Sequence, residues 1–239
     1  MFSTLKTILI LSIEQFLCIL LIVFATILSI FPIDTKGIYF FGSKIIARVV
    51  LLLLGVKVNI TLKENLKKVP AIYASNYQSR LDGLLLLASL PYRFRIIAGE
   101  RIFGSPIEGF IYKKMGFILL SEKTHPISMG LKVKEIVEII KSGESILIFP
   151  EGKTSREGGL LPFAPGTAWI ALSSKESIIP VIIDGSYRLR SERGFKGGKV
   201  KIKIGSPLDT KYMGEPDQNK AKILTAKLHQ IMSDILSSK

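Results

Sequence analysis

Residues 71–88 read Ala71-Ile72-Tyr73-Ala74-Ser75-Asn76-Tyr77-Gln78-Ser79-Arg80-Leu81-Asp82-Gly83-Leu84-Leu85-Leu86-Leu87-Ala88. The opening run Ala71 to Ala74 is apolar and reads as a buried strand, and the run from Gly83 reads as a helix. Between them lies the polar stretch Asn76 to Asp82. A strand end that feeds a helix start presents side chains and unpaired backbone N–H groups at one edge of a sheet. Asp82 stands where a first-turn charge or helix cap belongs.

The same texture extends on both sides. Upstream, Val56, Val58, Ile60 and Leu62 alternate with polar residues, as a half-buried strand does. Downstream, the sequence predicts strands over Phe94–Ala98, Ile118–Leu120, Ser145–Phe149 and Ile178–Ile183. A further strand is expected through Val200, Ile202 and Ile204, which alternate with lysines. Helices are expected over Ser105–Met115, Ile127–Lys141, Gly166–Ser173 and Gln218–Leu236. Gly116 and Gly143 serve as stops for the first two. Leu131, Val133, Ile136, Val137 and Ile140 form the apolar side of the Ile127–Lys141 helix. Strands alternating with helices make this an α/β fold, with a mainly parallel or mixed central sheet covered by helices.

The N-terminal part differs. Residues Ile8 to Ile33 are almost wholly apolar, broken by Glu14 and Gln15. The uncharged part, Phe16 to Ile33, is about 27 Å long as a helix, close to the ~30 Å hydrocarbon core of a bilayer. Only Lys6 precedes it among basic residues, and no small-x-small cleavage site follows, so it reads as an uncleaved anchor. A second apolar stretch runs from Ile38 to Gly55, with Lys44 and Arg48 on one helical face. It fits a second span, an interfacial helix or a core helix. Arg48 at mid-bilayer is costly, which favours interfacial or re-entrant packing. Lys36, Lys44 and Arg48 follow the first segment, so the domain beyond is expected on the cytoplasmic face. The expected division is residues 1–55 as membrane-associated helices and 56–239 as a catalytic domain.

Composition narrows the classes of function. The 239 residues carry 33 Lys+Arg against 19 Asp+Glu, a net charge of +14. Such a chain suits nucleic acid, anionic headgroups or acidic carriers. The sequence holds no zinc spacing and no aromatic-basic nucleic-acid motif, so no nucleic-acid partner is expected. Cys18 is the only cysteine, which excludes an internal disulfide and cysteine-based metal sites. His125 and His229 lie far apart and read as surface residues rather than ligands. The segment Arg188 to Lys203, with Arg190, Arg193, Lys196, Lys199 and Lys201, is a basic surface for headgroups or an acidic carrier, or simply a solvated strand face.

The strand ending at Phe149 runs into Pro150-Glu151-Gly152-Lys153-Thr154-Ser155-Arg156-Glu157-Gly158-Gly159, and Pro162-Phe163 follows. Read by itself, this is a turn-rich loop or an anion site with Lys153 and Arg156 as charges. Together with Asn76…Asp82 it resembles the glycerolipid acyltransferases, the family of 1-acylglycerol-3-phosphate acyltransferase. That family's first motif is Asn-His, four residues, Asp. Its third is Phe-Pro-Glu-Gly with a trailing Pro-Phe. Its second begins with Gly before an apolar strand, as Gly116-Phe117-Ile118-Leu119-Leu120 does. Its fourth is an apolar strand with a central proline, matched by Ile178-Ile179-Pro180-Val181-Ile182. The resemblance covers roughly Val56 to Gly205. It implies transfer of a fatty acyl group from acyl-carrier protein or coenzyme A to a lysolipid hydroxyl, in phospholipid biosynthesis at a membrane. It implies no metal or redox cofactor. Asn76, Glu151, Gly152, Lys153 and Arg156 are then expected at the substrate.

The sequence departs from the family at two places. The second motif ends in Ser121-Glu122-Lys123 where the family has Asp-Arg, so either Lys123 takes over the phosphate contact or the acceptor lacks a free phosphomonoester. Tyr77 stands where the family has its catalytic His. A phenol, with a pKa of ~10 against ~6.5 for His, is a poor base at neutral pH. One reading keeps the enzyme active, with Tyr77 and Asp82 as the catalytic pair and Asp82 or a water as base. A second makes the chain a lysolipid- or donor-binding scaffold at the membrane. A third takes the Tyr as an isolated variant of an active parent. The acyltransferase reading is adopted because Asn76, Asp82, Glu151, Gly152 and Pro180 are all in place.

Overall fold

The structure, a computed structural model, describes residues 2–62, 70–99, 104–120, 126–191 and 194–238. Its centre is a seven-stranded sheet in the order β1-β9-β6-β2-β5-β3-β4. The strands are β1 (Val56–Leu62), β2 (Ile72–Ser75), β3 (Phe94–Ala98), β4 (Ile118–Leu119), β5 (Ser145–Ile148), β6 (Ile178–Asp184) and β9 (Gly198–Ile204). From β6 to β4 every pairing is parallel. β9 turns the sheet mixed by running antiparallel to β6, and β1 lies parallel to β9. A short hairpin, β7 (Arg190–Ser191) with β8 (Gly194–Phe195), and the 3-10 turn Ser186–Leu189 fill the link from β6 to β9.

Helices cover both faces, which is why the central strands are near-continuous runs of Ile, Leu and Val. One layer is α1 (Phe2–Leu28), α2 (Thr35–Leu54), α3 (Asp82–Ser89) and α4 (Pro106–Lys114). Its buried residues pack on Tyr73, Leu147, Val181, Ile183, Val200 and Ile202. The other layer is α5 (Pro126–Lys141), α6 (Gly166–Ser174) and α7 (Gln218–Ser237), packed on Ile72, Ala74, Ile146, Ile178 and Ile182. Tyr73 and its neighbours Ile72 and Ala74 thus face opposite layers, the two-residue period of a strand.

Two details differ from the sequence expectation. Leu131 is exposed, so the buried side of α5 is narrower than its apolar stripe. On β1, an edge strand, Ile60 and Leu62 lie on the α1–α2 side but are exposed.

Residues 4–28 and α2 are each long and apolar enough to cross a membrane by length and composition. They are used differently. Only 22% of the most apolar window of α1 is buried, against 50% for α2. Lys44 of α2 is buried, and its Nζ donates to the carbonyl of Leu90, while Arg48 Nε donates to the carbonyl of Ala88 at 3.1 Å. Both cations satisfy carbonyls left open at the C-terminus of α3.

Candidate active site

Strands β6, β2 and β5 are adjacent and parallel, so the segments leaving their C-terminal ends meet at one edge of the sheet. These segments are Asn76–Leu81, Phe149–Pro165 and Gly185–Ser186. Pieces about 75 and 107 residues apart along the chain are thereby brought side by side.

Asn76 is fully buried. Its Nδ2 donates to the Ile183 carbonyl at 2.9 Å, and its Oδ1 accepts from the Ile183 amide at 2.7 Å. Both ends of the amide are used, so Asn76 clamps the end of β2 to β6 and positions the turn that follows.

That turn is folded onto Asp82. One carboxyl oxygen, Oδ2, accepts from the amides of Gln78 at 2.5 Å and Ser79 at 2.9 Å. Asp82 is the first residue of α3, yet its bonds reach backward into the turn rather than forward to the helix. The other oxygen, Oδ1, is buried and has no hydrogen-bond partner. Burial pushes the carboxyl up to about 7, Glu151 adds to the rise, and the Ser186 hydroxyl and the two amides oppose it. Ser186 acts as a nearby dipole here; its hydroxyl lies 3.4 Å from Gln78 Oε1 and makes no well-formed bond to Asp82.

Gln78 is the hub. Its Nε2 donates to the Gly158 carbonyl at 2.9 Å, and its Oε1 accepts from the Gly185 amide at 3.3 Å. It therefore touches both neighbouring loops.

Glu151 is buried as well. Its Oε1 accepts from the Tyr77 amide at 3.0 Å and its Oε2 from the Leu161 amide at 3.1 Å. Burial raises its pKa against the pull of those two amides. The carboxylate is a latch between loops, and the Ser155 amide adds a second tie by donating to the Tyr77 carbonyl at 2.7 Å. Gly152 adopts φ +65 at the tight turn that aims Glu151 inward, a conformation that favours glycine.

Tyr77 is half-buried, and its ring lies on Phe149 with centroids 4.7 Å apart and a tilt of 32°. Lys153 and Arg156 stand exposed on the Glu151 loop, at the same edge. Glu122, Lys123 and His125 lie outside the described residues. His229 packs edge-on to Phe163. Among the described residues, no group of three or more His, Cys, Asp or Glu is arranged to hold a metal.

The arrangement is a loop triad stitched around two buried carboxyls, with the motif residues of three strands in one place. Residues 57–184 match a family model described as Acyltransferase. The chain belongs to the glycerolipid acyltransferase family. It is 34% identical over 157 residues to the chloroplastic 1-acyl-sn-glycerol-3-phosphate acyltransferase of Arabidopsis thaliana, covering 64% of this chain and 44% of that one. It is 28% identical over 181 residues to the 1-acyl-sn-glycerol-3-phosphate acyltransferase of Haemophilus influenzae, covering 75% and 74%. The chain spans about half the length of the plant relatives that it matches. The crystal structure of the 1-acyl-sn-glycerophosphate acyltransferase from Thermotoga maritima shares the fold. Its TM-score is 0.78 at 20% identity, over 100% of this chain and 96% of that one.

Sequence reasoning did not single out Gln78, Ser155, Phe149 or Ser186. Their signal was position: each lies inside a motif or one or two residues past a strand end. Their partners are far away in sequence, and no local pattern announces them.

Proposed function

We propose that this chain moves a fatty acyl group from a thioester to the free hydroxyl of a lysolipid such as 1-acylglycerol 3-phosphate, within phospholipid biosynthesis. The thioester is carried by acyl-carrier protein or coenzyme A. The observation that carries the reading is the Asp82 carboxyl: buried, held by two amides, with one oxygen free of donors and a pKa near neutrality. A base with its pKa near the working pH is well matched to proton transfer.

The acceptor oxygen bonds to the thioester carbonyl carbon, the C–S bond breaks, and the hydroxyl proton passes through the base to the departing thiolate. The thioester is already activated, so the protein has to orient the alcohol, take its proton and exclude water. Asp82 is fully covered, so the proton reaches it by a relay. The half-buried phenol of Tyr77, or a water beside it, fills that place. Glu151 fixes the Tyr77 backbone rather than meeting the acceptor. Lys153 and Arg156 face the acceptor phosphate, and Lys123 stands next to them in the motif order.

Residues 1–55 attach the catalytic domain, residues 56–239, to the membrane, with that domain on the cytoplasmic face. The exposed apolar side chains of α1, among them Phe16, Leu20, Val23, Phe24 and Ile27, support the attachment, and the basic residues that follow α1 support the face. The test is a mass-spectrometric transfer assay on membranes from cells expressing the full chain, with a panel of lysolipids and both donor types. Formation of the diacyl product is expected. Folded protein that acylates none of the panel would sink the reading.

A further inference from the structure

The parallel pairing of β1 with β9 sets Lys57 beside Lys199, Asn59 beside Lys201 and Thr61 beside Lys203. Partners in register share a face, so these residues form one polar, strongly cationic sheet face. Neighbouring strands are ~4.8 Å apart, and like charges directly opposed on a sheet are destabilising. Lys57, Lys199 and Lys201 are exposed. The acid in register with the row is Asp184, opposite Lys201, and no ion pair joins the two. Lysines often protect an edge strand from pairing with other chains. That accounts for Lys57 on β1 but not for the lysines of β9, which is paired on both sides.

The direction of this face decides its partner. The alternate residues Val56, Val200, Ile202 and Ile204 pack into the layer of α1 and α2. The lysines therefore point away from the apolar helices, on the side of α7, where Lys203 Nζ donates to the Ile235 carbonyl at 3.0 Å. A headgroup surface belongs on the side of the apolar helices, so a membrane is a poor match for this face.

The row also leads to the site. β9 runs antiparallel to β6, with Lys201 level with Asp184, and the Lys199 carbonyl lies against Gly185, whose amide binds Gln78. Lysines at alternate positions recur every ~6.6 Å. Carboxylates four apart on a helix recur every ~6 Å. At the foot of the row, a cleft of about 210 Å³ is lined by Asn59, Thr61, Lys201, Lys203 and Ser238.

We propose that this lysine face docks an acidic, water-borne protein that carries the acyl thioester, through a helix bearing carboxylates along one side. The inference rests on the acyltransferase reading and chooses between its two donors. It places the carrier on the side opposite the membrane, with its thioester arm reaching over Gly185.

The experiment uses the full chain in detergent micelles and the triple variant Lys57→Glu, Lys199→Glu, Lys201→Glu. The donors are a purified acyl-carrier protein loaded with palmitate, and palmitoyl-coenzyme A. With the carrier, KM is expected to rise about tenfold or more in the variant, and kcat to hold. With coenzyme A, both constants should stay within about twofold, and flotation on vesicles containing anionic lipid should not change. Unloaded carrier binding to immobilised enzyme is measured in parallel. Wild type should bind and weaken steeply with added salt, and the variant should not bind. This arm reads docking without turnover, so it separates failure of the proposal from failure of the acyltransferase reading. A Lys→Gln triple variant covers the case in which charge reversal unfolds the chain. Equal KM changes with both donors, no carrier binding by wild type, or lost flotation with intact carrier binding would each overturn the proposal.

Discussion

Replacing Asp82 by Asn is expected to stabilise the protein above neutral pH while abolishing transfer. The side chain is fully buried, and burial lifts its pKa from 3.8 to about 7. The sign follows from proton linkage. The unfolded chain ionises this group near its ordinary value, whereas the folded chain holds the proton until about pH 7. Between these values the native state binds more protons, so stability is lost as pH rises and the loss is complete above the folded pKa. Roughly three decades of proton affinity, at ~1.4 kcal/mol each, put the whole loss at about 4 kcal/mol. Between pH 5 and pH 8 the remaining part is on the order of 2–3 kcal/mol.

Asn keeps an oxygen for the Gln78 and Ser79 amides, carries no charge at any pH, and presents an NH2 where Oδ1 has no donor. The melting temperature of the variant, relative to wild type, should therefore rise by roughly 5–10 °C between pH 5 and pH 8, at ~2–4 °C per kcal/mol for a chain of this length. Thermal unfolding of both proteins in the same detergent, at unit steps of pH, reads this directly. A difference that does not change with pH, or that shrinks as pH rises, would refute the argument. It would mean that the amides and Ser186 hold the carboxylate ionised in spite of burial.

Other changes test the site by different routes. Tyr77→His should raise transfer by ~100-fold or more, because it supplies an imidazole base at this position. Adding Asp82→Asn should erase most of that gain; unchanged rates in folded Tyr77→His would place the mechanism elsewhere. Glu151→Ala removes the acceptor of the Tyr77 and Leu161 amides and should cost ~2–4 kcal/mol as well as turnover, with Glu151→Gln restoring part of each; a full-strength melting curve for the Ala variant would contradict the latch. Gly158→Ala should destabilise by ~1–3 kcal/mol, since φ is +84 and a Cβ would sit 2.5 Å from the Tyr187 ring; an unchanged melting temperature would mean that the loop is free to move. Fractionation of cells should leave the full chain with membranes, and recovery in the soluble fraction before any carbonate wash would remove the anchor.

The strands of the central sheet were legible because the inner ones are short apolar runs bounded by polar or turn residues, while β1 and β9 alternate apolar with polar side chains. Motif spacing was legible for the same reason, since the first and third motifs begin where a strand stops and the second and fourth run along a strand. The roles inside the motifs were not. Asn76 and Glu151 carry groups that suit substrate contact, and their identities cannot reveal that backbone amides of Ile183, Tyr77 and Leu161 occupy them. The reversal of β9 against β6 was equally hidden. Alternation along β9 gives its two faces but says nothing of its direction, which is antiparallel to β6.

Lys44 and Arg48 connect the apolar N-terminal layer to the chemistry. As charges in an apolar helix they read as an obstacle to burial, and in isolation they are. Here they bind the last open carbonyls of α3, and the first residue of α3 is Asp82. α3 is only eight residues long, so its two ends move together. One end is held by cations from α2, the other by the turn that Asn76, Gln78 and Glu151 fix to the sheet. α2 therefore cannot slide along its axis as an independent segment without pulling on the buried Asp82 carboxyl. The placement of α2 in the apolar layer thus sets where Asp82 stands, through the same two side chains.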